Sequence, residues 1–257
     1  MKKKMILCFA IALFSCEKDN ILVDDSYRMI LHTIEHYTEG NWGSTETYWY
    51  SNQGELKEVT QAYPSYVDKH QISYLDGKWA KIKSYRQEKQ RALYDAEYNA
   101  NGTLGVVNMF TIDSTTREER LFSRKQYDYD SQNRVSKTTT VYADTDRCGV
   151  SVFLWNGKNI QTEKKFNGKC EDIEKYLTLE AEYLQYDSNK NYKAQTLEAY
   201  LQPETLSKNN AIESILSSPT IDIFCGTNPC KTQYRYNKLG YPTEIILNNA
   251  TLKLSYK

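Results

Sequence analysis

An all-β chain is predicted: an antiparallel up-and-down meander of about 14 strands, curled or closed into a soluble barrel-like sheet. Three observations predict it. Seven times an aromatic-rich alternating run meets a turn signal and is followed by a second alternating run. Glycine or asparagine sits at the centre of each turn, where positive φ is tolerated. Tyrosine is unusually common, 22 of 257 residues against 7 Phe and 4 Trp. It suits a sheet with partly wet faces, being apolar in the body and polar at the tip, and it argues against a thick aliphatic core.

At the N-terminus, Lys2, Lys3 and Lys4 precede ten apolar residues, 5–14, then Ser15 and Cys16. This is a charged n-region, a short h-region and a small residue before a cut; the run is too short to span a bilayer. Residues 1–15 are therefore expected to be a signal peptide, and 16–25 a polar, acidic tether. A single β-hairpin repeat domain is expected over 26–257. The stretch 13–16, Leu-Phe-Ser-Cys, resembles a bacterial lipobox, which implies acylation of Cys16 and a stable anchor once two or more chains are attached. A plain secretory signal with an incidental cysteine is the alternative.

Residues 26–40 fit helical spacing at Tyr27, Ile30, Leu31 and Ile34, yet a strand is expected, because an irregular alternating run before a glycine turn is the habit of the later repeats. Those repeats occupy 48–59, 72–83, 96–107, 127–138, 152–163, 183–196 and 234–245. Asn101-Gly102 and Asn156-Gly157 are the strongest two-residue hairpin signals, expected as type I′ turns with positive φ at both positions; Asp76-Gly77 follows. Gln53-Gly54 and Leu239-Gly240 are looser, and Gln132-Asn133 and Lys190-Asn191 put asparagine where glycine would stand. An open sheet of this length would leave two unprotected edges, so closure is expected. One segment breaks the pattern: 203–218 has Leu206, Ile212, Ile215 and Leu216 in partly helical register before Pro219. It is expected as a long loop carrying a short helix.

Four cysteines remain after Cys8 goes with the signal and Cys16 takes lipid. An even number in an oxidising compartment favours disulfides, and three connectivities exist. Cys148 and Cys170 flank the two arms of the hairpin centred on Asn156-Gly157, and Cys225 and Cys230 bracket a turn, so the pairs 148 with 170 and 225 with 230 are expected.

Chemistry is sparse. His32, Glu35 and His36 match an inverted zinc-protease pattern that needs a helix; on a strand the two histidines lie about 13 Å apart, too far for one metal. Asp187, Asn189, Asn191 and Glu198 satisfy four positions of a calcium loop, but Tyr192 replaces the required glycine. Asp128 with Asp130, and Asp144 with Asp146, are better explained as turn-entry residues than as acid–base pairs. His70 has no nucleophile partner recognisable from sequence, and no glycine-rich phosphate loop is present. Neither cofactor nor metal is implied, and an enzyme is disfavoured. Net charge is zero and no basic stripe appears, so a nucleic-acid partner is not supported. A membrane-spanning barrel would need an unbroken apolar outer band, whereas Lys78, Lys81, Lys83 and Arg86 place charge on both alternations.

The run 234–245, Tyr-Arg-Tyr-Asn-Lys-Leu-Gly-Tyr-Pro-Thr-Glu-Ile, resembles Bacteroidetes-type lipoproteins that carry a domain of unknown function with a porin-like β fold. The repeats are also similar to the YD repeats of Rhs-type toxin shells. Glu17-Lys18-Asp19-Asn20 is similar to the acidic signal that sends such lipoproteins to the outer-membrane surface. The resemblance implies fold and place: an outer-membrane, lipid-anchored, surface-exposed chain whose membrane partner is reached through acylated Cys16. The functional expectation is a non-enzymatic binding or scaffold module for a glycan, peptide or partner protein. Tyr48, Trp49, Tyr50 and Trp79 are the candidate ligand-stacking aromatics. A YD-repeat-like shell or carrier, and a hydrolase with an unrecognised site, are the alternatives.

Overall fold

The computed structural model describes residues 29–217 and 229–257. They form one antiparallel sheet of 17 strands. In order these are β1 (Leu31–Thr38), β2 (Asn41–Tyr50), β3 (Leu56–Ala62), β4 (Val67–Leu75), β5 (Lys78–Arg86), β6 (Lys89–Tyr98), β7 (Leu104–Ile112), β8 (Glu119–Tyr129), β9 (Val135–Tyr142), β10 (Arg147–Asn156), β11 (Asn159–Lys169), β12 (Leu177–Tyr186), β13 (Ala211–Ser217), β14 (Cys230–Lys231), β15 (Gln233–Tyr236), β16 (Pro242–Ile246) and β17 (Ala250–Tyr256). Consecutive strands pair, except that β14 and β15 continue one run, and β1 pairs with both β2 and β17, so the meander comes back on itself as a barrel. Among the described residues, β13 and β14 share two register pairs. The strand count exceeds the expected 14 because β1 precedes the first repeat, strands also link the repeats, and Thr232 splits one run into β14 and β15.

One rim of the barrel carries the repeat turns, and four of them share one five-residue geometry. In 51–55, 99–103, 130–134 and 237–241 the first N–H donates to the fifth carbonyl and the fourth N–H to the first carbonyl. The fourth residue is Gly54, Gly102, Asn133 or Gly240, each at φ between 58 and 80° or, for Gly102, 89°. The carboxylate of Asp130 accepts from the N–H groups of Gln132 and Arg134, and the amide oxygen of Asn237 accepts from those of Leu239 and Tyr241. Turn entry thus explains the recurring Asp or Asn after Tyr. Only Asp76-Gly77 among the three glycine dipeptides has positive φ at both positions. Asn101 and Asn156 keep ordinary φ, which corrects the type I′ expectation there: at 99–103 three residues separate the bonded pair and only the glycine must turn left-handed.

The aromatics that precede the repeat turns share a backbone device, and most share a use. A β-bulge stands immediately before Tyr50, Tyr74, Tyr98, Tyr129, Trp155, Tyr186 and Tyr236, one for each repeat. A bulge re-aims the side chain that follows it. Turned inward, Tyr74 donates to the carbonyl of Leu56, Tyr98 to Trp79, Tyr129 to Leu104, Trp155 through its indole N–H to Val135 and Tyr186 to Ile160; Tyr256 likewise donates to Pro242, and all six bonds measure 2.7–2.9 Å. Each acceptor is the first or second residue of the preceding strand. These five tyrosines and Trp155 are therefore latches that satisfy carbonyls at the rim. Burial pushes Tyr98 and Tyr129 up to about 12, so they remain donors at neutral pH.

The core runs along the inner face, with Leu31, Ile34, Tyr48, Leu56, Val59, Ile82, Phe153 and Ile245 nearly sealed from solvent. The sixth repeat departs from expectation. No strand follows Lys190-Asn191; 192–205 instead folds into a 3-10 turn (Tyr192–Gln195), the helix α1 (Glu198–Leu201) and a second 3-10 turn (Pro203–Thr205). Conversely, Ala211–Ser217 is strand β13 paired with β12, not part of a helix. The partly helical register of Ile212, Ile215 and Leu216 is overridden by the unpaired edge of β12.

Candidate functional site

The insertion after β12 lies across the inside of the turn rim. Gln195 accepts through its side chain from the N–H of Leu31 at 2.8 Å and through its carbonyl from the Tyr50 hydroxyl at 3.2 Å. Tyr200 meets the Tyr74 hydroxyl at 3.0 Å and the edge of Trp79. Lys125 of β8 bonds the buried carboxylate of Glu204. Ser207 accepts from the N–H of Ile160 at 3.0 Å, and Lys208 donates to the carbonyl of Lys158 at 3.0 Å. Tyr192, Leu197, Tyr200 and Leu201 pack on the core. One segment therefore bridges β1, β2, β4, β5, β8 and β11 and plugs that end.

Beyond the plug, inward side chains of β1, β2, β4 and β5 form a polar cluster. His36 and Glu46 meet at 2.9 Å, and the Tyr48 hydroxyl donates to the other Glu46 oxygen. Burial raises the Glu46 carboxyl, but the hydrogen bonds from His36 and Tyr48 outweigh it and hold it below the usual carboxylate range. His70 Nδ1 and Ser84 Oγ are 2.7 Å apart, and burial pushes the His70 imidazole down, favouring its neutral form. Sequence reasoning missed this pair. The signal was available: residues 70 and 84 are equidistant from Gly77 of the Asp76-Gly77 turn, and they stand directly opposite in the register.

The four expected aromatics divide between the faces. Tyr48 and Trp79 are 2% and 8% exposed inside the core, and Tyr50 holds the plug. Trp49 alone faces outward, 52% exposed, with the His32 ring edge-on at 6.3 Å. They form no single stacking surface, because period-2 alternation separates 49 from 48 and 50. His32 meets Trp49, whereas His36 points inward to Glu46, so the two histidines of the zinc pattern do not converge. Among the described residues no three His, Cys, Asp or Glu side chains gather into a metal-binding group. Asp187 of the calcium-loop pattern is committed to Tyr236 and Asn210.

Cys148 and Cys170 are bonded with their Cα atoms 5.0 Å apart, at the rim opposite the plug. Cys230 is disulfide-bonded; its expected partner Cys225 lies outside the described residues, as do the signal peptide, Cys16 and the tether. A surface depression of about 230 Å³ is lined by residues including Asn156, Gln161, Glu182 and Tyr186. No helix among the described residues is long and apolar enough to cross a membrane.

No protein family matches the chain, and no curated protein does. Solved structures share the fold. A porin-like protein from Bacteroides uniformis superposes with a TM-score of 0.56 at 9% identity, covering 89% of this chain and 98% of the other. A porin-like protein from Bacteroides vulgatus gives 0.53 at 12% identity, covering 90% and 99%. The chain thus has the porin-like β fold of these Bacteroides proteins, a similarity of architecture along nearly its whole length.

Proposed function

We propose that this chain is a non-enzymatic binding module, tethered to the outer membrane through acylated Cys16 and displayed at the cell surface. The observation that carries the reading is the plug: with 192–208 laid across the turn rim, the barrel offers its outer face and opposite rim to a ligand rather than an open bore. Outward side chains on β5 to β9, such as Lys83, Asp95, Arg124 and Lys137, put charge around the barrel where a lipid-facing band would be apolar. Ile30 and Lys257 pair through their backbones at the plugged rim, and in this reading the tether from Cys16 joins the barrel on that side. Metabolic labelling with an acyl analogue tests the anchor. Label on the wild type and none on Cys16→Ala is expected, with the wild type cleaved by protease added to intact cells; label persisting on Cys16→Ala overturns it.

The His70–Ser84 contact favours a second reading, a hydrolase with Ser84 as nucleophile. A fluorophosphonate probe decides: labelling of the wild type that disappears in Ser84→Ala would favour the enzyme over the binding module.

A further inference from the structure

We infer that a strip on the outer face binds a polysaccharide chain lying across the strands; this deepens the binding reading and rests on it. Trp49, Glu58, Gln71 and Lys83 stand directly opposite one another in the register of β2, β3, β4 and β5. Their neighbours along each strand, Tyr48, Val59, Ile72, Ile82 and Ser84, are buried inward, so all four side chains project from the same outer surface. At about 4.8 Å between strands the row spans about 14 Å, long enough to meet more than one sugar ring.

Its chemistry has the order a pyranose needs. Trp49 presents an exposed aromatic face, and the edge-on His32 ring fixes its orientation. The C–H face of a sugar ring stacks on such a surface while its hydroxyls remain at the rim. Next come a carboxylate and an amide already held together, Gln71 Nε2 donating to Glu58 Oε2 at 3.0 Å. Together they offer acceptors and donors for vicinal hydroxyls. Lys83 forms no ion pair among the described residues, leaving three donors at the end of the row. A peptide is a poorer match. Both edges of each of these strands are already paired, so strand addition has no free backbone here.

Affinity electrophoresis of the full chain in detergent, through gels containing neutral, uronate-bearing or N-acetylhexosamine-bearing soluble polysaccharides, tests the strip. Retardation by at least one class is expected. Trp49→Ala and Gln71→Ala should each weaken it about tenfold or more, the equivalent of roughly 1.4 kcal/mol. Trp42→Ala, an exposed tryptophan off the strip, should leave it unchanged, with circular dichroism confirming that each variant is folded. Retardation equal in wild type and Trp49→Ala overturns the proposal, and so does retardation by none of the three classes. Failure here is separable from failure of the tether: an acyl-labelled, surface-cleaved chain that ignores every polysaccharide loses the strip and keeps the anchor.

Discussion

The turn at 130–134 and the insertion after Asp187 are the same device at two sizes. In the short turn, Asp130 donates its N–H to the carbonyl of Arg134, and its carboxylate accepts from the N–H groups of Gln132 and Arg134. In the long one, Asp187 donates its N–H to the carbonyl of Asn210, and its carboxylate accepts from Asn189 and Asn210. Asn210 has taken the place of the fifth residue, and 191–209 has been let into the loop between the fourth position and the fifth. The bulge and inward tyrosine that precede the other turns also precede this one, at Tyr186. A barrel rim built on a tolerant turn can thus accept a plug without any change to the strands that flank it, since a longer loop adds closure entropy only slowly.

The comparison is broken most directly by excision. Removing 191–209 together with Lys190→Gly joins Asp187, Ser188, Asn189 and the substituted position directly to Asn210, a five-residue turn of the short type. Strand content by circular dichroism should survive. The core should lose its contacts with Tyr192, Leu197 and Leu201, worth about 2 kcal/mol for each large side chain buried, and bind a hydrophobic dye. If the strands melt as well, the plug is needed to hold the sheet closed and the two turns are not equivalent.

Next in size is the link between plug and wall. Glu204 is 4% exposed and Lys125 bonds one of its oxygens. Lys125→Met strands the carboxylate beside Tyr127 and should cost about 3 to 5 kcal/mol, as for other buried pairs deprived of one partner. Adding Glu204→Gln should recover part of it. Urea unfolding of the single and double variants measures both, and a loss under about 1 kcal/mol, the scale of an exposed pair, would mean that the plug is held by its apolar contacts alone.

Asp187→Ala set against Asp130→Ala sharpens the comparison. Asp187 also receives the hydroxyl of Tyr236 and the side-chain amide of Asn210, so its loss leaves more buried donors without an acceptor. About 3 kcal/mol is expected for Asp187→Ala and about 1 kcal/mol for Asp130→Ala. Equal costs in urea unfolding would show that the insertion adds nothing to the turn residue's work.

The repeated part of the molecule was legible for the same reason that it is regular. Turn residues, alternation and the Tyr-Asx pair are local, and they correctly announced a closed-up antiparallel meander and the Cys148–Cys170 bond. The inserted part was not, because its structure is decided by distant partners. Nothing near Asn191 says that the next strand lies beyond residue 210, and Ile212, Ile215 and Leu216 become a strand only because β12 offers an unpaired edge. The outer-face strip was half legible: Trp49 was singled out, but Glu58, Gln71 and Lys83 join it only through the register of three hairpins. The tyrosine count was legible as unusual, but the latch role of Tyr74, Tyr98, Tyr129, Tyr186 and Tyr256 was not, since the bulges that turn side chains inward have no sequence signature of their own.

The latches offer the smallest effect and the finest test of whether the repeats are energetically alike. Tyr98→Phe removes one hydroxyl donating to the carbonyl of Trp79 and should cost about 1 kcal/mol. The same bond makes a pH prediction. Burial raises the Tyr98 phenol from its ordinary 10.0 to about 12, with smaller contributions from Tyr129 and Tyr200. A phenol raised in the folded state is harder to ionise there than in the unfolded chain, so its contribution is fully present below about pH 10 and is lost as the pH rises through about 12. Tyr129 shifts the same way for the same leading reason. Stability measured by urea unfolding should therefore fall between about pH 10 and about pH 12. The fall should be shallower in Tyr98→Phe, because one of the groups that resists ionisation has gone. A slope unchanged by the substitution would mean that this latch does not report on folding, and that other buried hydroxyls carry the alkaline transition instead.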